Sequence, residues 1–147
     1  MPDLEAARAA FTWETARARL DGLPGGGLNL AHEAVDRHVT AGHGAEIAIR
    51  WLSREGTTVD ISYADLAERA ARFARVIVQD GLGQGDRLFA LLGRRPELYE
   101  AALGALKAGL TFTPLFSAFG PEPIRARMEI GSATALITTA ALFRRKI

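Results

Sequence analysis

The sequence contains no cysteine among its 147 residues. A disulfide framework, a thiol nucleophile and a cysteine-ligated zinc site are therefore excluded, and cysteine usage gives no support for secretion. No apolar run approaches the roughly 18 residues of a membrane-spanning helix. The first 20 residues carry acidic and basic side chains throughout, unlike a signal peptide. These absences predict a soluble cytoplasmic protein that does not span a membrane.

The sequence also lacks an excess of either charge. Its 18 Lys and Arg residues against 17 Asp and Glu residues leave a net charge of +1. This balance gives no electrostatic reason to expect nucleic acid or an anionic membrane as a partner. The hydrophobic share of 48% and the charged share of 24% are ordinary for folded proteins. The length suits one domain, which can bury about 70% of its unfolded surface.

Several kinds of active site have no basis in the sequence. There are no paired carboxylates and no Ser/His/Asp constellation with a recognisable nucleophile elbow, so a hydrolase has no supporting feature. The glycines at 25–27 have neither a preceding strand nor a following Gly-Lys-Ser/Thr, so they are not predicted to hold phosphate. His32 and His38 lie six residues apart and hence on different faces of a helix, and we predict no metal site.

The N-terminal third is predicted to be helical around one glycine-rich break. Residues 3–21 are rich in Ala, Glu and Arg and predict a single surface helix anchored by Phe11, Trp13 and Leu20. We therefore expect residues 1–28 to form an N-terminal helix and connector. Asn29 is a good N-cap for a following helix with an apolar stripe.

In the middle of the chain, apolar and polar residues alternate, and a helical pattern follows. Residues 46–52 and 57–62 flank a turn at Glu55-Gly56 and predict a β-hairpin. Ser62, with Asp65 three residues later, resembles a capping box that opens a long helix. Two i,i+4 ion pairs are expected on the solvated side of this helix, Asp65 with Arg69 and Glu68 with Arg72. Its buried side is predicted to comprise Leu66, Ala67, Ala70, Phe73, Ala74 and Ile77.

The last 60 residues predict a β-α-β-α-β unit of a parallel sheet. Apolar runs at 88–92, 111–116 and 135–139 alternate with helical segments that start at Pro96 and Pro121. The predicted fold class is therefore α/β, with N-terminal helices and a β-hairpin followed by this unit. Ligands of such sheets gather beyond the carboxyl ends of the strands, which makes residues 113–120 a candidate site.

Several segments in order resemble a known family. They are residues 29–31 and 36–38 (NLA and DRH), 62–66 (SYADL), 83–87 (GQGDR), 96–97 (PE), 105–109 (ALKAG) and above all 114–122 (PLFSAFGPE). Together they are similar to the N-terminal part of AMP-forming acyl-CoA synthetases, with 114–122 typical of acetyl-type members. The resemblance covers residues 29 to about 140. One departure is Ile130, because similar sequences usually carry Asp-Ser at positions 130–131.

The resemblance implies a fold and an activity. Residues 29–147 would form the N-terminal portion of the AMP-binding domain, an incomplete part of the large N-terminal domain of adenylate-forming enzymes that stops short of its C-terminal end. The whole enzyme would join a short carboxylate to coenzyme A, using ATP and Mg²⁺, through an acyl-adenylate. The phosphate loop ending in Pro-Lys, the acidic ribose and magnesium ligands, and the lysine-bearing C-terminal lid are missing from these residues.

Only one residue is singled out as a ligand contact by the resemblance. In acetyl-type enzymes an arginine beyond the strand equivalent to residues 135–139 contacts the nucleotide phosphate of coenzyme A, and Arg144 lies near that place. The alternative is that residues 144–146 form only a solvated helix start, since a further helix is expected to begin there. No catalytic residue, no metal ligand and no firmly bound cofactor is predicted for this chain.

Three interpretations remain open. The chain is an N-terminal piece of an acyl-CoA synthetase that binds small molecules only as part of the complete enzyme, or a free-standing interaction module without catalysis, or part of a carrier-protein-loading adenylation domain. If the chain is an incomplete piece, its parallel sheet without the remaining strands is expected to expose a strand edge and an apolar face, whereas a cooperatively melting monomer would support the free-standing module. Self-association of the 147-residue chain is therefore a further expectation.

Overall fold

The N-terminal segment contains two short helices. The computed structural model describes residues 3–147, and α1 spans Leu4–Ala9 and α2 spans Trp13–Arg17. The prediction of one helix is wrong because Thr12 and Thr15 form a capping box, in which the Thr15 backbone N–H donates to Thr12 Oγ1 at 3.1 Å. Phe11 and Trp13 do not anchor this segment, since they are 55% and 79% exposed and pack edge-to-face on each other.

A helix covering residues 30–43 follows, and most of its turns are π-helical, at His32–Asp36 and Val39–His43. Asn29 caps it as predicted, because its Oδ1 accepts the backbone N–H of Ala31 at 2.9 Å. Glu33 on this helix accepts the backbone N–H groups of Gly22 and Asp21 at 2.7 and 3.1 Å. These bonds, that from Gly22 foremost, lower the pKa of the Glu33 carboxyl and tie the N-terminal segment to the helix.

The predicted β-hairpin is confirmed. Strand β1 (Ile47–Leu52) pairs antiparallel with β2 (Thr58–Ser62), with a register irregularity between Ile47 and Ile49. Arg50 and Asp60 face each other across the pair and form two hydrogen bonds of 2.7 and 2.8 Å. The hydrogen bonds from Arg50 lower the pKa of the Asp60 carboxyl. Because Arg50 and Asp60 lie opposite each other on the two strands, their pairing stabilises this register at the exposed surface.

The long helix α3 spans Tyr63–Gln79 and begins with the predicted capping box of Ser62 and Asp65. Leu66, Ala70, Ala74 and Ile77 are buried on it as predicted. Of the two expected ion pairs, Glu68 with Arg72 is present at 3.1 Å. The predicted pair of Asp65 with Arg69 is wrong, because Arg69 instead forms an ion pair with Glu100 on the neighbouring helix at 3.0 Å.

The β-α-β-α-β prediction is confirmed. The parallel strands are β3 (Arg87–Leu91), β4 (Thr111–Pro114) and β5 (Ala135–Thr138), and their order in the sheet is β4-β3-β5. Helix α4 (Pro96–Lys107) connects β3 to β4, and α5 (Pro121–Ile130) connects β4 to β5. Helix α6 (Ala140–Lys146) follows β5. Proline opens both connecting helices, where its missing N–H costs nothing.

Helices cover both faces of the three-stranded sheet. On one face, Phe89 and Leu91 pack with Ile124 of α5 and Leu142 of α6. On the other, Leu88 packs with Ile77 of α3 and Ala105 of α4. An exposed apolar face stays a prediction, because the residues of the outer strands β4 and β5 are only half-buried or exposed, and these strands keep unpaired edges. Among residues 3–147, no helix combines the length and apolar character needed to cross a bilayer.

Candidate functional site

The carboxyl ends of the parallel strands meet at one edge of the sheet. β3 leads into residues 92–95, β4 into residues 115–120, and β5 into Thr139. Hydrogen bonds join this edge, since the Leu115 backbone N–H donates to Ala90 O at 2.8 Å and the Thr138 side-chain Oγ1 donates to Leu91 O at 2.8 Å. The arrangement brings the predicted ligand-binding loop, residues 113–120, to the place where ligands of such sheets collect.

The loop at residues 115–120 presents an aromatic ring to solvent. Leu115 is buried beneath it, whereas Phe116 is 63% exposed. The Phe119 N–H closes a turn by donating to Phe116 O at 3.0 Å, and the two phenylalanine rings pack edge-to-face with centroids 5.6 Å apart. Phe116 is thereby held outward by its neighbour, which leaves its face available for stacking.

Arg127 of α5 supports the other phenylalanine of the loop. Its guanidinium lies 4.1 Å from the centroid of the Phe119 ring, and its Nη1 donates to Pro123 O at 3.1 Å. A cation over an aromatic face stabilises the pair by about 0.5–1 kcal/mol at an exposed position. Arg127, Phe116 and Thr113 line the rim of a shallow cleft of about 490 Å³ between β4 and the end of α5.

Lys146 of α6 fixes the loop from the opposite side. Its Nζ donates to Ser117 O at 2.9 Å and to Phe119 O at 2.6 Å. Lysine has three N–H donors, so one side chain can hold both carbonyls at once. The sequence carries no local pattern for this role, because the partner carbonyls lie 27 and 29 residues away.

Arg144 lies on the same helix but is free. The helix begins at Ala140 and not at Arg144, because Thr139 caps it by accepting the Leu142 N–H at 3.2 Å. Arg144 is exposed, and within residues 3–147 its side chain has no hydrogen bond or ion pair. Since residues two apart on a helix do not share a face, Arg144 projects away from the carbonyls that Lys146 holds.

The loop after β3 brings two further arginines to this edge. Arg95 forms an ion pair with Glu97, and its two hydrogen bonds of 3.0 and 2.8 Å raise the pKa of the guanidinium further. The Arg94 carbonyl accepts the Trp51 Nε1–H at 2.9 Å, which joins the hairpin to the sheet. Trp51 was not singled out from the sequence, although its single N–H donor is a group that usually finds a partner.

The residue that departs from the family pattern lies at the end of α5. Ile130 is 86% exposed, so it makes little contact with the folded core. The following Gly131 lies tightly against the sheet, because a Cβ there would come within 2.4 Å of Phe89 Cζ. A Cβ at the second position of this segment would therefore require the Phe89 ring to shift.

The three histidines have other partners. His32 contacts Asp21, His43 contacts Glu46, and His38 packs on the Tyr63 ring with centroids 5.0 Å apart. No group of three or more potential metal ligands occurs in the part of the chain that the structure describes. The residues present also lack a phosphate-binding loop, so they do not fit ATP and Mg²⁺.

Comparison with known families identifies the chain. The family model of the AMP-binding enzymes matches residues 35–146, which is most of the sequence. The chain belongs to the AMP-binding enzyme family. The predicted resemblance to adenylate-forming acyl-CoA synthetases is thereby confirmed, and the match extends slightly beyond the C-terminal limit of 140 expected from the motifs.

Relatives in this family are similar over about four fifths of the chain. An acetyl-coenzyme A synthetase of Streptomyces avermitilis is 34% identical over 120 residues, which cover 82% of this chain and 18% of that protein. One from Mycobacterium bovis is 36% identical over 122 residues, covering 82% and 19%. The chain thus spans less than a fifth of the length of these curated relatives.

Solved structures of AMP-binding family members have the same fold. An acyl-CoA synthetase of Brucella canis superposes with a TM-score of 0.89 at 32% identity, covering 98% of this chain and 26% of that one. This coverage includes the short N-terminal helices as well as the parallel sheet. The chain therefore adopts the fold of an N-terminal domain fragment of an acyl-CoA synthetase.

Proposed function

We propose that this chain is the N-terminal part of a ligase that joins acetate or another short carboxylate to coenzyme A with formation of AMP. The superposition on an acyl-CoA synthetase over 98% of the chain carries this proposal. The acetyl-coenzyme A synthetases among the relatives and the PLFSAFGPE segment favour a short carboxylate. On this proposal the domain comprises residues 29–147, with residues 1–28 as an N-terminal helical extension and connector.

The role proposed for the chain is to form one wall of the ligand site. The loop at 115–120 offers the exposed Phe116 ring, and α6 offers the free Arg144. An aromatic face and a guanidinium are the groups that bind a base and a phosphate of a nucleotide. When bound, coenzyme A would supply the thiol that accepts the acyl group. Here Arg144 would bind a phosphate of its nucleotide portion.

A chimera tests the proposed function. Residues 29–147 would replace the corresponding segment of the Streptomyces avermitilis acetyl-coenzyme A synthetase, and acetate-dependent formation of AMP would be measured. We expect the chimera to retain activity, because the fold and the wall of the site are preserved. A second chimera with Leu91→Ala serves as the control for a misfolded insert. A folded chimera without acetate or propionate activity would contradict the proposal.

The chain alone is expected to have no adenylating activity. Phosphoryl transfer depends on positioned positive charge and backbone amides around the phosphates, and these residues lack that loop. The measurement is acetate-dependent exchange of labelled pyrophosphate into ATP, compared with a blank without protein and with an intact acetyl-coenzyme A synthetase. Exchange above the blank from the purified 147-residue chain would show that the inference is wrong.

The substitution Arg144→Ala is expected to weaken coenzyme A binding about 10- to 100-fold in the active chimera. A hydrogen bond to a charged group contributes about 1.5–3 kcal/mol, and Arg144 has no partner within residues 3–147 that would keep it from a phosphate. Binding would be measured by calorimetry, with dephospho-coenzyme A as a second ligand. Arg145→Ala, on the same helix, is the matched control. Equal losses for both variants would indicate general electrostatics and contradict a specific contact.

A further inference from the structure

Helix α6 is joined to the loop after β4 at two levels. Below the loop, Leu142 is buried in one apolar cluster with Leu115, and Phe119 packs against that cluster. At the end of the helix, Lys146 Nζ donates to Ser117 O and Phe119 O at 2.9 and 2.6 Å. Because Leu142 and Lys146 are four residues apart, both contacts come from one face of the helix.

The shortness of α6 makes the contact at its end important. The helix has seven residues, Ala140–Lys146, and a helix of this length is not stable by itself in water. Its first turn is held by Thr139, whose Oγ1 accepts the Leu142 N–H at 3.2 Å. Of the three basic residues in its last turn, Lys146 is the one with a hydrogen-bonded side chain among residues 3–147. The last turn is therefore held against the loop by Lys146.

We propose that Lys146 is a positioning residue for coenzyme A, which orients the last turn of α6 so that Arg144 faces the nucleotide phosphate. Arg144 belongs to the same turn, two residues before Lys146, and lies on a different side of the helix. When one side of the turn is bonded to the loop, the direction of Arg144 is set as well. This inference rests on the proposed function, because it takes Arg144 to be the phosphate contact.

A direct attraction between Lys146 and the phosphates is the competing explanation. Two of the three N–H groups of this ammonium are used on the loop carbonyls, and the side chain is half-buried. Arg144, in contrast, is exposed and keeps all of its N–H donors available within residues 3–147. Contact with the phosphate therefore falls to Arg144, and Lys146 acts through it.

Hydrogen exchange in the 147-residue chain tests the structural part of the proposal without reference to any activity. The Phe119 N–H donates to Phe116 O inside the turn whose carbonyls Lys146 holds. In Lys146→Met, which keeps the apolar stem and removes the donors, we expect this amide to exchange at least about fivefold faster. Lys146→Arg keeps charged donors and is expected to restore slow exchange. The Asp80 amide, bonded to Val76 O at the end of α3, is the internal control. Unchanged exchange at Phe119 in Lys146→Met would overturn the proposal.

Steady-state kinetics of the active chimera test the functional part. Lys146→Met is expected to raise the KM for coenzyme A about fivefold, while kcat and the KM for acetate change by less than about twofold. A residue that only stabilised the fold would not affect one substrate selectively. Lys146→Arg is expected to restore the KM for coenzyme A. An inactive unsubstituted chimera would contradict the proposed function and this inference with it. An active chimera in which Lys146→Met leaves that KM unchanged would contradict this inference alone.

The double variant Arg144→Ala/Lys146→Met decides between positioning and direct attraction. If Lys146 acts through Arg144, its substitution has no further effect once the guanidinium is gone. The KM for coenzyme A of the double variant should then equal that of Arg144→Ala within about twofold. Two independent contacts would instead multiply, and the double variant would show a further rise of about fivefold. That further rise would overturn the positioning role.

Discussion

The substitution Leu91→Ala is expected to lower the free energy of unfolding by about 3–5 kcal/mol. Leu91 ends β3, the central strand of the sheet, and has an exposed fraction of 0%. It packs in one cluster with Leu115, Ile124 and Leu142, which come from three different segments around it. The cavity cannot close easily, because these neighbours are themselves held by helices and by the Leu115 bond to Ala90.

Urea denaturation followed by circular dichroism would measure this loss, at a protein concentration low enough to keep the chain monomeric. A small domain has only about 5–15 kcal/mol of stability, so the variant should unfold at a much lower urea concentration. Leu52→Ala is the matched control, because Leu52 is 67% exposed on the hairpin. We expect the control to change stability by less than about 0.5 kcal/mol. A loss below 1 kcal/mol at Leu91 would contradict the packing described here.

The sequence predicted those elements whose signals are local. The capping box at Ser62, the prolines that open α4 and α5, and the apolar runs of β3 and β5 each depend on residues within one turn or one strand. The parallel direction of β3, β4 and β5 followed from the β-α-β-α-β pattern, because a parallel connection needs a crossover helix, whereas their order in the sheet was not predicted. The structure confirms these elements.

One error comes from a long-range contact and another from local hydrogen bonding. Arg69 had a suitable partner four residues earlier in Asp65, but Asp65 is occupied by the cap of α3 and Glu100 comes within 3.0 Å from α4. The single helix predicted over residues 3–21 fails because Thr12 and Thr15 cap each other reciprocally. Propensity favoured a continuous helix, and this local hydrogen bonding outweighed it.

The candidate site was also predicted only in part from the sequence. The position of the loop at 115–120 followed from the strand that precedes it, whereas the groups that hold the loop did not. Lys146 looked like one of three basic residues at the start of a helix, yet it alone is bound to carbonyls and Arg144 remains free. Only the structure separates these two roles, because the difference lies in which face of α6 each residue occupies.

The close packing of α4 on α3 depends on one residue without a side chain. Gly104 lies at the crossing of the two helices, where a Cβ would come within 2.7 Å of Ala70 O and 2.8 Å of Phe73 Cδ1. The carbonyl of Ala70 belongs to the backbone of α3, so rotation of a side chain cannot relieve the contact. Ala101 and Ala105 on the same helix are also buried, so this stretch of α4 is closely packed.

The substitution Gly104→Ala is therefore expected to destabilise the chain by about 2–3 kcal/mol, which is typical of overpacking in a filled core. Intrinsic helix propensity acts in the opposite direction, since alanine favours a helix interior by about 1 kcal/mol over glycine. The sign of the measured change thus decides whether packing or propensity dominates at this position. Gly83→Ala is the matched control, because a Cβ at Gly83 would meet nothing within 4 Å. Thermal and urea unfolding should show a loss at Gly104 and no loss at Gly83, and a stabilised Gly104→Ala would mean that α3 and α4 are not in close contact.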